Sequence, residues 1–210
     1  LVPFVRERSA GDGLPLVTSG LINPAELRWG ATPCRFARRR WTSPVVDAEA
    51  LRCDAPELGA WLDARRRPKV LVASQTRISE AVADTSGRMV PSVPVVSVEP
   101  GDPRDVWRVT AALLAPVASA WMLHHRAGSG LSADAVRVSA RAVTELPLPT
   151  DRERWDAAAG LVERWHAEPG DAELRRRFAL VACTAYGLSE SAADNLCSWW
   201  HRHIERLTGA

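Results

Sequence analysis

The sequence contains almost no lysine and has little net charge. Lys69 is the only lysine among 27 basic residues, so all the others are arginines, and 25 acidic residues reduce the formal net charge to +2. A charge of this size is too small for a chain whose whole surface binds nucleic acid, so any such surface must be local. The fork-shaped guanidinium group suits phosphates and guanine edges. An arginine-rich, lysine-poor composition is also typical of genes with a high GC content.

Paired cysteines, long apolar runs and cofactor-binding loops are missing as well. Cys34, Cys53, Cys183 and Cys197 lie far apart, which argues against a metal knuckle and predicts reduced, mostly buried thiols. No apolar run approaches the roughly 20 residues that span a bilayer, and the N-terminus has no signal pattern. We therefore predict a soluble, cytoplasmic protein without a membrane partner. No glycine-rich loop follows a strand, which argues against methyl, phosphoryl or hydride transfer by this chain itself.

The first half of the chain has the pattern of short strands. At 210 residues with 46% hydrophobic positions, the chain is long enough to bury a core. Proline, glycine and β-branched residues up to about Gly101 predict strands joined by turns, with the clearest strand at residues 69–74 and another at residues 93–98. One helix is predicted at residues 56–67.

After Gly101 the apolar residues recur at helical spacing. A helix is predicted at residues 102–126, kinked at Pro116 and ended by the glycines at positions 128 and 130. A short strand and an extended exit follow at residues 135–149, and three helices begin near Asp151, Asp171 and Ser189. We therefore predict an α+β fold, with a strand-rich domain containing a long helix at residues 1–149 and a C-terminal three-helix appendage at residues 150–210.

Two groups of residues have the composition of a binding site. Arg35, Arg38, Arg39 and Arg40 form a tight cluster that is followed directly by Trp41. Such a cluster can bind phosphates while the aromatic residue stacks or anchors the loop, although a solvated charged segment is an equally good interpretation. Cys197 and His201 share a helix face and are the best zinc ligands in the sequence. One helix supplies at most two of four ligands, so we favour a packed cysteine and predict no metal.

Four longer stretches carry a resemblance to a known family. The first is LVTSGLINPAELRWG followed by RFARRRWTSPVV, and the second is RRPKVLVASQTRISEAVADTSGRMVPSVPVVSV. The third is VWRVTAALLAPVASAWMLHHRAGSG followed by VRVSARAVTELPLP, and the fourth is FALVACTAYGLSESAADNL. Together they resemble the C-terminal target-recognition domain of N6-adenine DNA methyltransferases of the type IIG restriction-modification kind.

The chain departs from that family at two points. Ala115 and Pro116 stand where the family commonly has an Asn-Ser pair in its middle helix. The catalytic Asn-Pro-Pro-aromatic motif is absent, and Asn23-Pro24-Ala25 is only superficially similar to it. Because the chain opens at Leu1 without a methionine, we expect it to be part of a longer protein. The resemblance therefore implies the DNA-reading part of a methyltransferase, with no catalytic residue of its own.

The resemblance also implies partners and contact residues. The partners are double-stranded DNA and a catalytic methyltransferase domain of the same polypeptide, which would bind S-adenosylmethionine outside this chain. The recognition lobe of such an enzyme supplies phosphate contacts for register and base contacts for specificity. The implied DNA contacts are Arg38, Arg39, Arg40, Trp41, Lys69, Gln75, Thr76 and Arg77. The segment 75–77 is alternatively an ordinary polar turn that caps a helix at residues 79–83.

Two other functions compete with DNA recognition. The first is a protein-docking module of a phage-defence or assembly complex, which would use the apolar faces and tryptophan-rich helices and would not read DNA. Trp199 lies off the main apolar stripe of the last helix, so it faces either a further domain or a packed second helix face. The second is a stand-alone enzyme of unknown chemistry, with zinc at Cys197 and His201.

Overall fold

A computed structural model of the chain describes residues 1–8, 13–126 and 136–208 and confirms the predicted α+β class. The glycines at 128 and 130 lie outside the described residues. The strands of the described part are β1 (Val5–Glu7), β2 (Leu14–Val17), β3 (Ile22–Asn23), β4 (Glu26–Leu27), β5 (Cys34–Phe36), β6 (Arg39–Trp41), β7 (Pro44–Val46), β8 (Lys69–Val72), β9 (Gln75–Thr76), β10 (Ala81–Asp84), β11 (Val90–Pro91), β12 (Val96–Val98) and β13 (Val136–Arg137). The α-helices of that part are α1 (Ala48–Asp54), α2 (Pro56–Ala64), α3 (Val106–Leu114), α4 (Pro116–Arg126), α5 (Ala140–Thr144), α6 (Arg152–Ala167), α7 (Ala172–Ala185) and α8 (Glu190–Thr208).

The strands form two small sheets and three two-stranded ladders. One sheet has the order β1-β7-β2-β11, and the other has the antiparallel order β10-β8-β12. The ladders are β13-β9, β3-β4 and β5-β6. The central strand β8 is buried at all four positions, which confirms the prediction of a buried strand beginning at residue 69.

Local sequence signals account for most helix boundaries. The side chains of Asp151 and Asp171 accept hydrogen bonds from the first backbone N–H groups of α6 and α7, as N-cap residues do. Asp47 caps α1 in the same way. The sequence prediction missed α1, and it also missed α5 inside the expected extended exit. Strand β12 begins later than predicted, because Val93 lies in a loop with its side chain 94% exposed.

Pro116 separates two helices that meet at 57°. Ala115 between them is extended, with ψ of 140°, which is the conformation favoured before proline. Pro116 then occupies the first position of α4, where the missing N–H removes no helical hydrogen bond. Among the described residues no single helix is long and apolar enough to cross a membrane, and only this bent pair passes that test of length and composition.

One apolar core crosses the predicted boundary between residues 149 and 150. Trp165 of α6, Phe178 of α7 and Trp200 of α8 belong to the same cluster as Val70 of β8 and Leu113 of α3. Each of the three last helices has one apolar stripe that must be covered, and the main body covers it. The three helices therefore share one apolar core with β8 and α3. A smaller core under the four-stranded sheet consists of Val5, Leu14, Leu16, Val46, Leu51, Leu62 and Val90.

Candidate nucleic-acid interface

The predicted arginine cluster lies on the hairpin formed by β5 and β6, residues 34–41, which we call the arginine hairpin. The directly paired residues are Cys34 and Trp41, Arg35 and Arg40, and Phe36 and Arg39. Ala37 and Arg38 form the turn, with φ angles of 50° and 65°. A two-residue turn of this hand needs positive φ at both positions and usually contains Asn-Gly. Non-glycine residues adopt this conformation at a cost of roughly 1–2 kcal/mol each, so the hairpin holds a cation at its tip despite backbone strain.

The arginines of the hairpin are exposed and unneutralised. Arg35, Arg38, Arg39 and Arg40 are all exposed, and none of them makes an ion pair or hydrogen bond through its side chain to another described residue. Arg35 faces Arg40 directly across the ladder, and like charges in that position repel. A polyanion would neutralise this repulsion and release its own counterions on binding.

Trp41 fixes the hairpin to the body of the protein. The side chains of Trp41 and Phe36 both pack against the smaller core, which holds the hairpin to the body. The indole N–H of Trp41 also donates to the carbonyl of Phe36 at 3.1 Å, a bond within the hairpin. The Glu7 carboxylate accepts hydrogen bonds from the backbone N–H groups of Thr42 and Ser43, directly after the hairpin. These contacts fit the supporting role that the sequence analysis gives to Trp41.

Two clefts adjoin the turn at Ser19 and Gly20. The first has a volume of about 530 Å³ and lies between this turn, the arginine hairpin and the loop at Val93. The second has a volume of about 310 Å³ and lies between the same turn and residues 75–77. Because Ser19 and Gly20 line both clefts, one short turn lies between the cleft beside the arginine hairpin and the cleft beside residues 75–77. The fold thus brings together two groups that are about 40 residues apart in the sequence.

Only two of the three predicted residues at 75–77 are available on this surface. Gln75 and Arg77 are exposed, whereas Thr76 is buried and its hydroxyl donates to the carbonyl of Ile78. Thr76 is therefore a structural residue of this turn and not a DNA contact in this conformation. The alternative of a capped helix at residues 79–83 is wrong, because Ala81–Asp84 form strand β10.

Lys69 is also not available to a ligand, which corrects its prediction as a DNA contact. Its side chain is 1% exposed, and its ammonium group lies 2.6 Å from the carboxylate of Asp84. A buried ammonium group needs such a partner. Lys69 opens β8, as predicted, but its side chain points into the protein and joins β8 to β10.

The sequence analysis missed Glu80, which lies in the second cleft. Only 8% of this residue is exposed, although its carboxyl group lines the cleft with Asn23 and Gln75. Burial raises the pKa of Glu80 to about 8, because a carboxylate loses its hydration there. In the sequence, the one local sign of this site is an acidic residue directly before the apolar run 81–83. Several of the residues that line the cleft with Glu80 come from distant parts of the chain, so the sequence did not reveal the cleft.

Most of the residues that the protein-docking module or the zinc enzyme would use lie in the core. Trp165 and Trp200 are 1% and 0% exposed, so they offer no apolar surface to a docking partner. Trp199 is half-buried and packs against the larger core, which matches the packed second face. Its ring centroid lies 4.7 Å from that of His203, with the two rings tilted by 45°. Cys197 lies against Cys183, with 3.7 Å between the sulfur atoms. No group of three potential metal ligands was found among the described residues.

No protein-family model matches the chain, and no curated protein matches it. The geometry of the arginine hairpin and the two clefts is therefore the main basis for a function.

Proposed function

We propose that the chain is a double-stranded DNA recognition module whose phosphate-binding element is the arginine hairpin. The observation that carries the proposal is the set of four exposed arginines that lack an acidic partner in the described structure. Exposed arginines elsewhere are often paired, as Arg52 is with Asp63 and Arg141 is with Glu145. Leaving four exposed guanidinium groups unpaired on one strained hairpin favours an external anion.

In this proposal the arginine hairpin binds phosphates, and the residues beside the second cleft contact bases. Phosphate contacts position a protein on a duplex, and base contacts select the sequence. In the proposal Arg38 at the tip and its neighbours Arg39 and Arg40 bind phosphates. Gln75 and Arg77 lie across the Ser19–Gly20 turn and face the bases, because a glutamine suits adenine and an arginine suits guanine in the major groove.

The resemblance to methyltransferase recognition domains extends the proposal to a larger protein. The chain would present duplex DNA to a catalytic N6-adenine methyltransferase domain of the same polypeptide, in a restriction-modification or related phage-defence system. S-adenosylmethionine would bind in that catalytic domain, and we assign no residue of this chain to it. A module with this role works where the DNA lies, which is the cytoplasm in a prokaryotic cell.

Fluorescence anisotropy on a labelled mixed-sequence duplex across a salt series tests the proposal. The affinity should fall steeply as salt rises, because counterions are released on binding. The double variant Arg38→Ala with Arg39→Ala should bind more weakly, and the slope of log affinity against log salt should decrease by about 2, since each lost phosphate contact removes about 1.

A charge-matched control variant distinguishes the loss of specific hairpin contacts from a general loss of positive charge. Arg177 and Arg202 are exposed on α7 and α8, and the double variant Arg177→Ala with Arg202→Ala removes the same charge. This control should bind like the unchanged protein. Equal losses in both double variants, or binding that does not depend on salt, would contradict the proposal and favour the protein-docking module.

A further inference from the structure

The second cleft contains the carboxyl group of Glu80, which has no partner among the residues that the structure describes. Glu80 forms no side-chain hydrogen bond or ion pair with another described residue, and desolvation alone accounts for its raised pKa. Among the described residues that line the cleft, Arg77 is the one other charged residue, and it is exposed. A carboxyl group that is mostly buried, belongs to a residue lining a cleft and makes no hydrogen bond to a described residue keeps its hydrogen-bonding capacity for a ligand in that cleft.

The protonation state of Glu80 decides which ligands it can bind. With its pKa near 8, the carboxyl is mostly neutral at pH 7. A neutral carboxyl group has an O–H donor beside a carbonyl acceptor. Each nucleobase carries a donor next to an acceptor on its Watson–Crick edge, and adenine has the N6 amino group beside N1. The carboxyl group can therefore make two hydrogen bonds with such an edge.

The depth of Glu80 decides which form of DNA can reach it. Side chains that read paired bases project into the major groove, whereas Glu80 is 8% exposed and cannot project. A base within the stack cannot enter the cleft either, so the ligand has to leave the duplex. Extrusion of single bases is an established way in which proteins reach the full edge of a base.

We propose that the Glu80 cleft accepts one unpaired nucleobase, which hydrogen-bonds to the Glu80 carboxyl and lies beside Gln75 and Arg77. This inference rests on the proposed DNA-binding function, because the arginine hairpin adjoins the cleft through Ser19 and Gly20. The cleft of about 310 Å³ is open to the surface that faces the duplex in that proposal.

Three labelled duplexes that differ at one position test the inference by anisotropy at pH 7. The first is fully paired, the second has a single unpaired adenine, and the third has an abasic residue in place of that adenine. The duplex with the unpaired adenine should bind about tenfold more tightly than the abasic duplex, as expected for one or two buried hydrogen bonds. Glu80→Ala should abolish this ratio.

The pH dependence of the ratio separates hydrogen bonding from simple packing. The preference for adenine should decline as the pH rises through about 8, because the carboxylate then has no proton to donate to N1. Glu80→Gln keeps a donor and an acceptor, so its preference should persist to pH 9. Glu163→Gln changes an exposed glutamate of α6 and should leave the ratio and its pH dependence unchanged.

The outcomes distinguish this inference from the proposed function. Salt-dependent binding of all three duplexes with equal affinity overturns the nucleobase cleft and leaves the arginine hairpin as the DNA-binding element. Failure to bind any duplex at low salt overturns both. A preference for adenine that Glu80→Ala retains also overturns the inference, and a thermal melt of each variant checks that the comparison is made on folded protein.

Discussion

The carboxylate of Asp84 lies opposite Lys69 in the ladder between β10 and β8, 2.6 Å from the lysine ammonium group, and both side chains are buried. The same carboxylate accepts hydrogen bonds from the backbone N–H groups of Arg88 and Met89 and from the hydroxyl of Ser86. The single lysine of the chain therefore neutralises a residue that also organises the turn after β10.

Loss of Asp84 should destabilise the protein more than loss of Lys69. In Asp84→Ala the buried ammonium group retains only the carbonyls of Arg65 and Arg67, at 3.4 and 3.5 Å, so the free energy of unfolding should fall by about 3–5 kcal/mol. In Lys69→Met the carboxylate keeps its three other donors, and the loss should be smaller. Urea unfolding followed by circular dichroism measures both, and the reverse order would contradict this assignment.

The strained turn of the arginine hairpin should be stabilised by glycine. Ala37 has a φ of 50°, which glycine adopts without strain. Ala37→Gly should therefore raise the free energy of unfolding by about 0.5–1 kcal/mol, after the entropy cost of glycine in the unfolded chain. Ala157→Gly, in the exposed part of α6, should lower it by a similar amount. Chemical unfolding measures the free energy of unfolding of both variants. If Ala37→Gly lowered it as Ala157→Gly does, the turn would not be strained.

Repulsion between Arg35 and Arg40 should limit the stability of the free protein and favour DNA binding. Arg40→Thr removes the repulsion and adds a residue that is favoured in strands, so it should stabilise the protein by roughly 0.2–1 kcal/mol. The same change should reduce the salt slope of DNA binding by about 1. Arg40→Lys keeps the charge. It should therefore change the stability and the salt slope of DNA binding less than Arg40→Thr does. An increase in stability without a loss of DNA affinity would show that Arg40 is not a phosphate contact.

Local patterns predicted the long helices and the central strand, whereas contacts between distant residues decided the site. The stripes of α6, α7 and α8 repeat every three or four residues, so their existence could be predicted without knowing the partner surface. The burial of Lys69 depends on the pairing of β8 with β10, which places Asp84 opposite it. A basic residue at the start of a strand is as often exposed, so the sequence could not show this.

The second cleft was unpredictable for the same reason. Gln75 and Arg77 precede Glu80 by only five and three positions, but Ser19, Asn23 and Leu207 are also needed to line the cleft. Two of these residues precede Glu80 by more than 50 positions, and Leu207 follows it by more than 100. The arginine hairpin, by contrast, is a local structure, and its four arginines could be identified as one group from their spacing.

The buried carboxyl of Glu80 should make stability fall as the pH rises. Burial raises the pKa of Glu80 from its ordinary value of 4.5 to about 8 in the folded protein. Below the lower value both states are protonated and Glu80 has no effect on the pH dependence of stability. Between the two values the unfolded state releases the proton first, so the free energy of unfolding decreases until the folded carboxyl also ionises.

Glu80→Gln should therefore be more stable than the unchanged protein at pH 8, by an amount on the order of 4 kcal/mol, and the advantage should shrink towards pH 4.5. Urea unfolding at a series of pH values measures the difference. The exposed Glu163→Gln variant should show no difference that depends on pH. If the Glu80→Gln difference were constant across the series, the Glu80 carboxyl would be ionised in the folded protein and could not donate a proton to a base at neutral pH.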